Sequence, residues 1–356
     1  MSEVRTLAID AMGGDAGVET IVEGVARAVA AGAASRFLFV GRENEIRPLL
    51  EARPALAAVS DVVDAPDVVA MDDKPAGVLR RGRETSMWKA VAAVASGEAG
   101  GVVSSGNTGA LMAVGRMQLK MIEGVDRPAI SALWPTPRGR IAVLDVGANV
   151  EVSAHQLVQF AIMGEAFVRG LKGLKKPSVG LLNVGSEDVK GNDLIREAAR
   201  ILVESDPEMN FHGFVEGNDI SAGTVDVVVT DGFTGNIALK TAEGTARLVG
   251  GWVREALTSS LTAKLAALVL KPSLKPLRDK LNPSSVNGGV FLGLGGLVVK
   301  SHGGADADGV RAAVIMTETL MASDFRGEIA ATVARVAERD QARDVADAPL
   351  AEAAAS

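Results

Sequence analysis

Six short segments of this chain concentrate side chains able to do chemistry on anions and carbonyl groups. They are Asp10-Ala11-Met12-Gly13-Gly14-Asp15, Ser104-Ser105-Gly106-Asn107-Thr108-Gly109, Asp145-Val146-Gly147-Ala148-Asn149, Asn183-Val184-Gly185-Ser186-Glu187, Thr230-Asp231-Gly232-Phe233-Thr234-Gly235-Asn236 and Ser301-His302-Gly303-Gly304. Each follows an apolar run and precedes a helical pattern. Glycine lets backbone N–H groups approach a ligand closely. A helix that follows presents unpaired N–H groups and a partial positive charge. The pattern predicts an anion site assembled from several loops.

The segments differ in what they offer. Ser105, Gly106, Asn107 and Thr108 set hydroxyl and amide groups beside glycine, a combination suited to wrapping phosphate. Asp231, Gly232, Thr234, Gly235 and Asn236 repeat that chemistry, with Lys240 one helical turn further on. Asn149, Asn183 and Lys190 are expected to face the same site, with Gly185 in the turn between the last two; for Glu187, helix capping is an equal reading. His302 is the only histidine in a glycine loop after a strand pattern, and is the best candidate for proton transfer or anion contact. His155 and His212 read as structural. Asp10 and Asp15 flank Gly13-Gly14, where a carboxylate orients a proton, a metal or backbone donors, or simply caps a turn.

The elements that must position these groups follow from the apolar runs. Leu7–Ile9, Val102-Val103, Ile141–Leu144, Val179–Leu182, Val227–Val229 and Leu297–Val299 are short and lack alternation, as strands buried on both faces do. Parallel strands point the same way, so their C-terminal loops are expected to gather along one edge, where open α/β sheets bind ligands. Further strands are predicted at Phe37–Val40 and Val59–Val63, and helices at Val18–Ala31, beginning at Pro48–Glu51, and at Met87–Val94. From Ile141 onward regular alternation implies parallel strands with right-handed crossovers. Lys74–Gly77 with Arg80, Arg81 and Arg83 reads as an irregular basic loop running into a helix. With Lys89 it forms a basic cluster, either a solvated face or a dock for an acidic partner.

Leu248–Leu281 departs from this alternation. Leu257, Leu261, Leu265 and Leu268 share a helical face, Pro272 and Pro276 interrupt it, and Leu274, Leu277 and Leu281 follow among Lys271, Lys275, Arg278 and Lys280. A helical hairpin inserted at about 247–281 is predicted, its apolar stripe serving as core, as a dimer face or as a surface for anionic membrane. Pro283–Gly296 reads as a loop. The Ala-rich tail from Glu338 is expected to fray, leaving one α/β domain over residues 1–337.

Composition removes several function classes. Of 356 residues, 47% are hydrophobic, enough for a large core. A net charge of −7 and 3% aromatic residues argue against nucleic acid as partner. The chain has no cysteine and no tyrosine, which excludes thiolate nucleophiles, disulfides and phenol acids or bases. Its three histidines lack metal-ligand spacing, and no G-x-G-x-x-G fingerprint supports dinucleotide binding. The N-terminus has no basic region leading into a long apolar stretch, and no run is long enough to span a bilayer, so a cytoplasmic protein is expected.

Taken in order, the loops resemble those of the bacterial phosphate acyltransferases of phospholipid synthesis. The matching stretches are Ala8–Asp15, Ser105–Ala110, Asp145–Asn149, Asn183–Glu187 with Lys190-Gly191, Glu216–Ile220, Asp231–Asn236 and Ser301–Gly303, spread over about residues 5–325. One departure is Leu79–Met87, where the family carries a more lysine-rich stretch. The resemblance implies a three-layer α/β/α Rossmann-like fold with a mostly parallel sheet, similar to phosphotransacetylases and isocitrate and isopropylmalate dehydrogenases. It implies transfer of an acyl group from acyl-acyl-carrier-protein to inorganic phosphate, without cofactor or metal. It also implies a homodimer whose hairpin, from about 253 to 281, is linked to peripheral membrane contact. On this reading Asp10, Gly13, Gly14, Asp15, Ser105, Gly106, Asn107, Thr108, Gly185, Gly232, Thr234, Gly235, Asn236 and Lys240 bind phosphate and substrate. Asn149, Asn183, His302, Lys190 and Asp231 form the catalytic set, and Arg80, Arg81, Arg83 and Lys89 dock the carrier protein. Two alternatives are a metal-dependent decarboxylating dehydrogenase, disfavoured by the lack of tyrosine, and a membrane-associated scaffold recruiting the carrier protein, which leaves six polar glycine loops without a purpose.

Overall fold

In the computed structural model all six apolar runs are strands: β1 (Thr6–Asp10), β4 (Gly101–Ser104), β6 (Gly139–Leu144), β7 (Ser178–Leu182), β9 (Val227–Val229) and β11 (Leu297–Lys300). The structure describes residues 5–187, 189–270 and 289–354, with side chains as far as residue 339. The other strands are β2 (Arg36–Gly41), β3 (Ser60–Asp64), β5 (Ala129–Thr136), β8 (Asn210–Val215) and β10 (Gly289–Leu292). All belong to one sheet, ordered β3-β2-β1-β4-β11-β10-β5-β6-β9-β7-β8.

Successive side chains of a strand point to opposite faces, and here both faces are buried. Leu7, Ile9, Phe37, Phe39, Leu144 and Val179 pack on one side beneath α1 (Gly17–Ala30), α2 (Glu43–Glu51), α3 (Pro54–Ala57), α7 (Ala154–Lys172), α8 (Asp193–Ser205), α12 (Ala307–Met321) and α13 (Phe325–Ala354). Ala8, Leu38, Val143 and Val228 pack on the other beneath α4 (Pro75–Arg81), α5 (Ser86–Ala95), α6 (Thr108–Leu119), α9 (Gly217–Ala222) and α10 (Gly232–Thr258). The result is the three-layer α/β/α architecture with a mostly parallel sheet that the sequence led us to expect.

The loops, however, do not gather on one edge. β11 is antiparallel to β10, β10 to β5, and β5 to β6. These reversals leave the parallel set β6-β9-β7-β8 running opposite to β3-β2-β1-β4-β11. The loops after β1, β4 and β11 therefore emerge at one edge, and those after β6, β7 and β9 at the other. The sequence missed this because β10 is a four-residue strand between glycines, inside the stretch read as a loop. β5 was also missed.

Four local differences stand beside this. α4 stands where a loop was expected because Pro75 occupies its first turn, where a missing N–H costs nothing. α2 begins at Glu43, with acidic residues in its first turn, and Pro48 lies inside it. The tail continues α13 to Ala354, through an Ala-rich stretch. α10 is longer than the expected hairpin arm and is followed by a bend at Ser259-Ser260 and by α11 (261–270). Leu274, Leu277, Leu281, Lys271, Lys275, Arg278 and Lys280 lie outside the described residues.

A polar cleft beside helix α10

The first edge is built by backbone approach. Asp10, at the end of β1, is 1% exposed. Its carboxylate accepts hydrogen bonds from Ser86 Oγ and Ser104 Oγ, both at 2.6 Å, and Ser104 Oγ accepts from the Gly106 N–H at 3.1 Å. Burial raises its pKa against the pull of the two serines. A Cβ on Gly13 would lie 2.6 Å from Asp10 Oδ2 and 2.8 Å from the Gly106 nitrogen. Gly14 has φ +90°, and its position leaves no room for a side chain beside Gly303 O and Ser105 Cβ. The Asp15 N–H donates to Gly303 O at 2.8 Å. The loops after β1, β4 and β11 thus touch main chain to main chain, which only these glycines allow.

Sequence reasoning missed a residue beneath this junction. Lys300 ends β11, 7% exposed. Its Nζ donates to the carbonyls of Ser301 and, at 3.3 Å, Ser105. Burial lowers its pKa to about 8, with Asp10 and Asp15 opposing and Lys240 assisting. The signal was a lone lysine closing an apolar strand, Leu297-Val298-Val299-Lys300, where the pattern predicts a buried side chain.

His302 is exposed beside it. Its Nδ1 accepts the Gly304 N–H at 3.2 Å, which leaves Nε2 to carry the proton of the neutral ring. Burial lowers its pKa; Glu243 opposes this, while Lys240, Lys300 and Arg247 add to it. A neutral imidazole offering one N–H donor is therefore the resting form. Lys240, Glu243 and Arg247 belong to α10, which starts at the second edge and runs back toward the first. Asn236, Lys240, Glu243 and Arg247 recur at helical spacing along one face. Lys240 pairs with Glu243 at 2.9 Å, and Arg247 approaches the same carboxylate at 3.8 Å. The cleft between this face and the first-edge loops is the polar site.

Several predicted site residues serve structure instead. Asn107 caps α6, its Oδ1 accepting from Ala110 N at 3.0 Å. Its amide donates to the carbonyls of Ala70, Met71 and Asp73, pinning the strap between β3 and α4, so it has no hydrogen left for phosphate. At the second edge Asp145 is fully buried and accepts from the N–H groups of Ile130, Gly147, Ala148 and Asn149 and from Asn149 Nδ2. Asn149 spends its other amide hydrogen on Pro128 O at 2.8 Å, and so is not an oxyanion donor. Asp231 caps α10 and accepts from Thr234 N and Thr234 Oγ1, both at 2.7 Å. Gly232 and Gly235 let α10 start against this loop; a Cβ on Gly235 would lie 2.0 Å from Asp145 O.

Other predicted groups remain available. Among the described residues the Ser105 hydroxyl and the Asn236 amide make no hydrogen bond, and Thr108 and Asn236 are exposed. Asn183 binds Val184 N and Lys190 O, keeping one amide hydrogen free, and the Lys190 side chain is exposed beyond Gly185. Asn183 and Lys190 lie at the second edge, away from His302. Arg80, Arg81 and Arg83 are exposed on α4 and the turn after it, whereas Lys89 pairs with Glu84 at 2.8 Å and Asp64 O at 3.1 Å. On the far side of α10 lies a cavity of about 1170 Å³, lined by Trp134, Leu182, Ile195, Ile220, Ile237 and Val249 and reaching Asn183, Asp231 and Thr234.

The architecture is that of the phosphotransacetylase class. A phosphotransacetylase from Streptococcus pyogenes superposes with a TM-score of 0.61 at 17% identity, covering 91% of this chain and 96% of that one. The family model described as "Fatty acid synthesis protein" matches residues 5–327. A phosphate acyltransferase from Maricaulis maris is 54% identical over 340 residues, 95% of this chain and 97% of the relative. One from Caulobacter vibrioides is 53% identical over 329 residues, 92% of this chain and 91% of the relative. The chain belongs to this family of phosphate acyltransferases, and the dehydrogenase and scaffold alternatives fall away. Among the described residues no helix is long and apolar enough to cross a membrane.

Proposed function

We propose that the protein transfers a fatty acyl group from acyl-acyl-carrier-protein to inorganic phosphate, giving acyl phosphate for phospholipid synthesis. The observation that carries the reading is the polar cleft, where three glycine loops meet over a buried lysine and face Lys240. Phosphate is substantially dianionic near neutral pH, since such second pKa values lie around 6; it needs positioning more than deprotonation. The Ser105 hydroxyl, the Gly14 N–H and Lys240 hold it. A phosphate oxygen attacks the thioester carbonyl, the carbonyl electrons move to oxygen, and the C–S bond breaks to release a thiolate when they return. His302 Nε2–H is the donor best placed for the transient oxyanion. Losing one such donor costs about 2.7–4 kcal/mol in other enzymes.

The exposed arginines of α4 supply a dock for an acidic carrier protein. Exposed Leu248, Trp252, Val253, Leu261, Leu265 and Leu268 on α10 and α11 favour a homodimer contact and peripheral attachment to a membrane from about residue 253 onward.

The test mixes purified protein with long-chain acyl-acyl-carrier-protein, with and without inorganic phosphate. Phosphate-dependent release of free carrier protein, with the acyl phosphate trapped by hydroxylamine, is expected. Intact thioester at high phosphate and enzyme refutes the reading. His302→Ala should slow turnover about 100-fold or more.

A further inference from the structure

Lys300 stands apart from the groups assigned so far. It is nine-tenths buried, yet among the described residues no carboxylate lies within 4.0 Å of its ammonium, and only two of its three hydrogens have acceptors. An ammonium this buried and unpaired is costly, and a fold retains it where an anion arrives to complete it. Both acceptors are main-chain carbonyls, from Ser105 and Ser301, one in each of two loops that meet at Gly14 and Gly303. Tying those carbonyls to the ammonium withdraws them from the loop surface.

We propose that Lys300 is the fixed cation of the phosphate site: it sets the Ser105 and Ser301 carbonyls, and its third N–H takes a phosphate oxygen. This rests on the acyl-transfer reading above. The groups that face it are Asp10 on β1, Asp15 in the following loop, Lys240 on α10 and the neighbouring His302. The carboxylates hold the proton on Lys300 and Lys240 opposes them. His302 is already neutral near pH 7 and does not titrate above it. An anion that binds only the ammonium form must lose affinity as Lys300 deprotonates, at and above a pH of about 8.

The experiment titrates the full-length protein with inorganic phosphate by calorimetry, for wild type, Lys300→Met and Lys300→Arg, between about pH 6.5 and about pH 9.5. Wild type should bind and then weaken by up to about tenfold per pH unit above its break. Lys300→Met should bind at least about 100-fold more weakly, with the melting temperature held or raised, because a buried charge has become an apolar isostere. Lys300→Arg should keep most of the affinity and lose the break, since guanidinium stays charged across the range. Phosphate binding by Lys300→Met within about threefold of wild type, or a wild-type break that survives in that variant, overturns the inference. Wild-type binding of phosphate without any acyl release overturns instead the acyl-transfer reading, so the two failures are distinct.

Discussion

Asp145 is the residue whose removal the structure prices most directly. Its carboxylate is fully buried and accepts from Ile130 N at 3.1 Å, Gly147 N at 3.2 Å, Ala148 N at 3.0 Å, Asn149 N at 2.6 Å and Asn149 Nδ2 at 2.9 Å. Asp145→Ala strands all of these donors at once. Gly147 is exposed and Ala148 half-buried, so water can replace the lost acceptor there. Ile130 and Asn149 are buried, and their N–H groups cannot be rescued in this way. Three stranded donors, Ile130 N, Asn149 N and Asn149 Nδ2, at about 1–3 kcal/mol each give about 3–9 kcal/mol. Burial also raises the Asp145 pKa, so deleting the carboxylate removes a desolvation cost and moves the expected loss to the low end of that range, about 3–5 kcal/mol. Against a typical total of about 5–15 kcal/mol this is a large fraction. The assay is urea unfolding followed by circular dichroism, with the midpoint shifted down and the slope unchanged. Asp145→Asn should fall between, because its NH2 group would meet Asn149 donors head-on. An Asp145→Ala protein with the wild-type midpoint would refute the view that this carboxylate holds the second-edge loop together.

Other outcomes follow from the same contacts. Asn107→Ala should release the strap of residues 66–74, raising its rate of limited proteolysis about tenfold while costing about 1 kcal/mol through the lost cap of α6. Gly235→Ala, with its Cβ 2.0 Å from Asp145 O, should destabilise by about 1–3 kcal/mol and cut turnover by displacing the start of α10, as measured by thermal melting and acyl release. Lys300, 7% exposed, has a folded pKa of about 8 against an ordinary 10.5, so the unfolded chain binds the extra proton between these values. Wild-type stability relative to Lys300→Met should therefore rise as pH climbs through that window, by about 3 kcal/mol, and chemical denaturation at both ends of it reads the difference.

Some of this was legible in residue order and some was not. The six apolar runs are local signals: a short unalternating run is a strand buried on both faces whatever its neighbours do, and all six are strands. The glycines of the loops also kept their meaning, because backbone approach at Gly13, Gly14 and Gly235 depends on the missing Cβ alone. What a polar side chain does at the end of a strand is different in kind. Asn107, Asn149 and Asp231 have the composition of a ligand site, but their hydrogen bonds go to Met71 O, Pro128 O and Thr234 N. Two of those partners lie far along the chain, and the third makes a local cap whose geometry had to be seen.

The direction of the second half of the sheet is a long-range fact as well. It turns on β10 and β5, whose pairing joins residues from 129 to 292, and no local pattern records which strands will lie side by side. The sequence by itself therefore determined the layered α/β/α class, the family and the loops from which a site would be made, because these depend on periodicity, on residue types and on order. Only the tertiary structure decided that the loops divide between two edges, that α10 carries a polar face back to join them, and that Lys300 sits buried under the junction. Those outcomes depend on strand pairing and burial, which are properties of the packed chain.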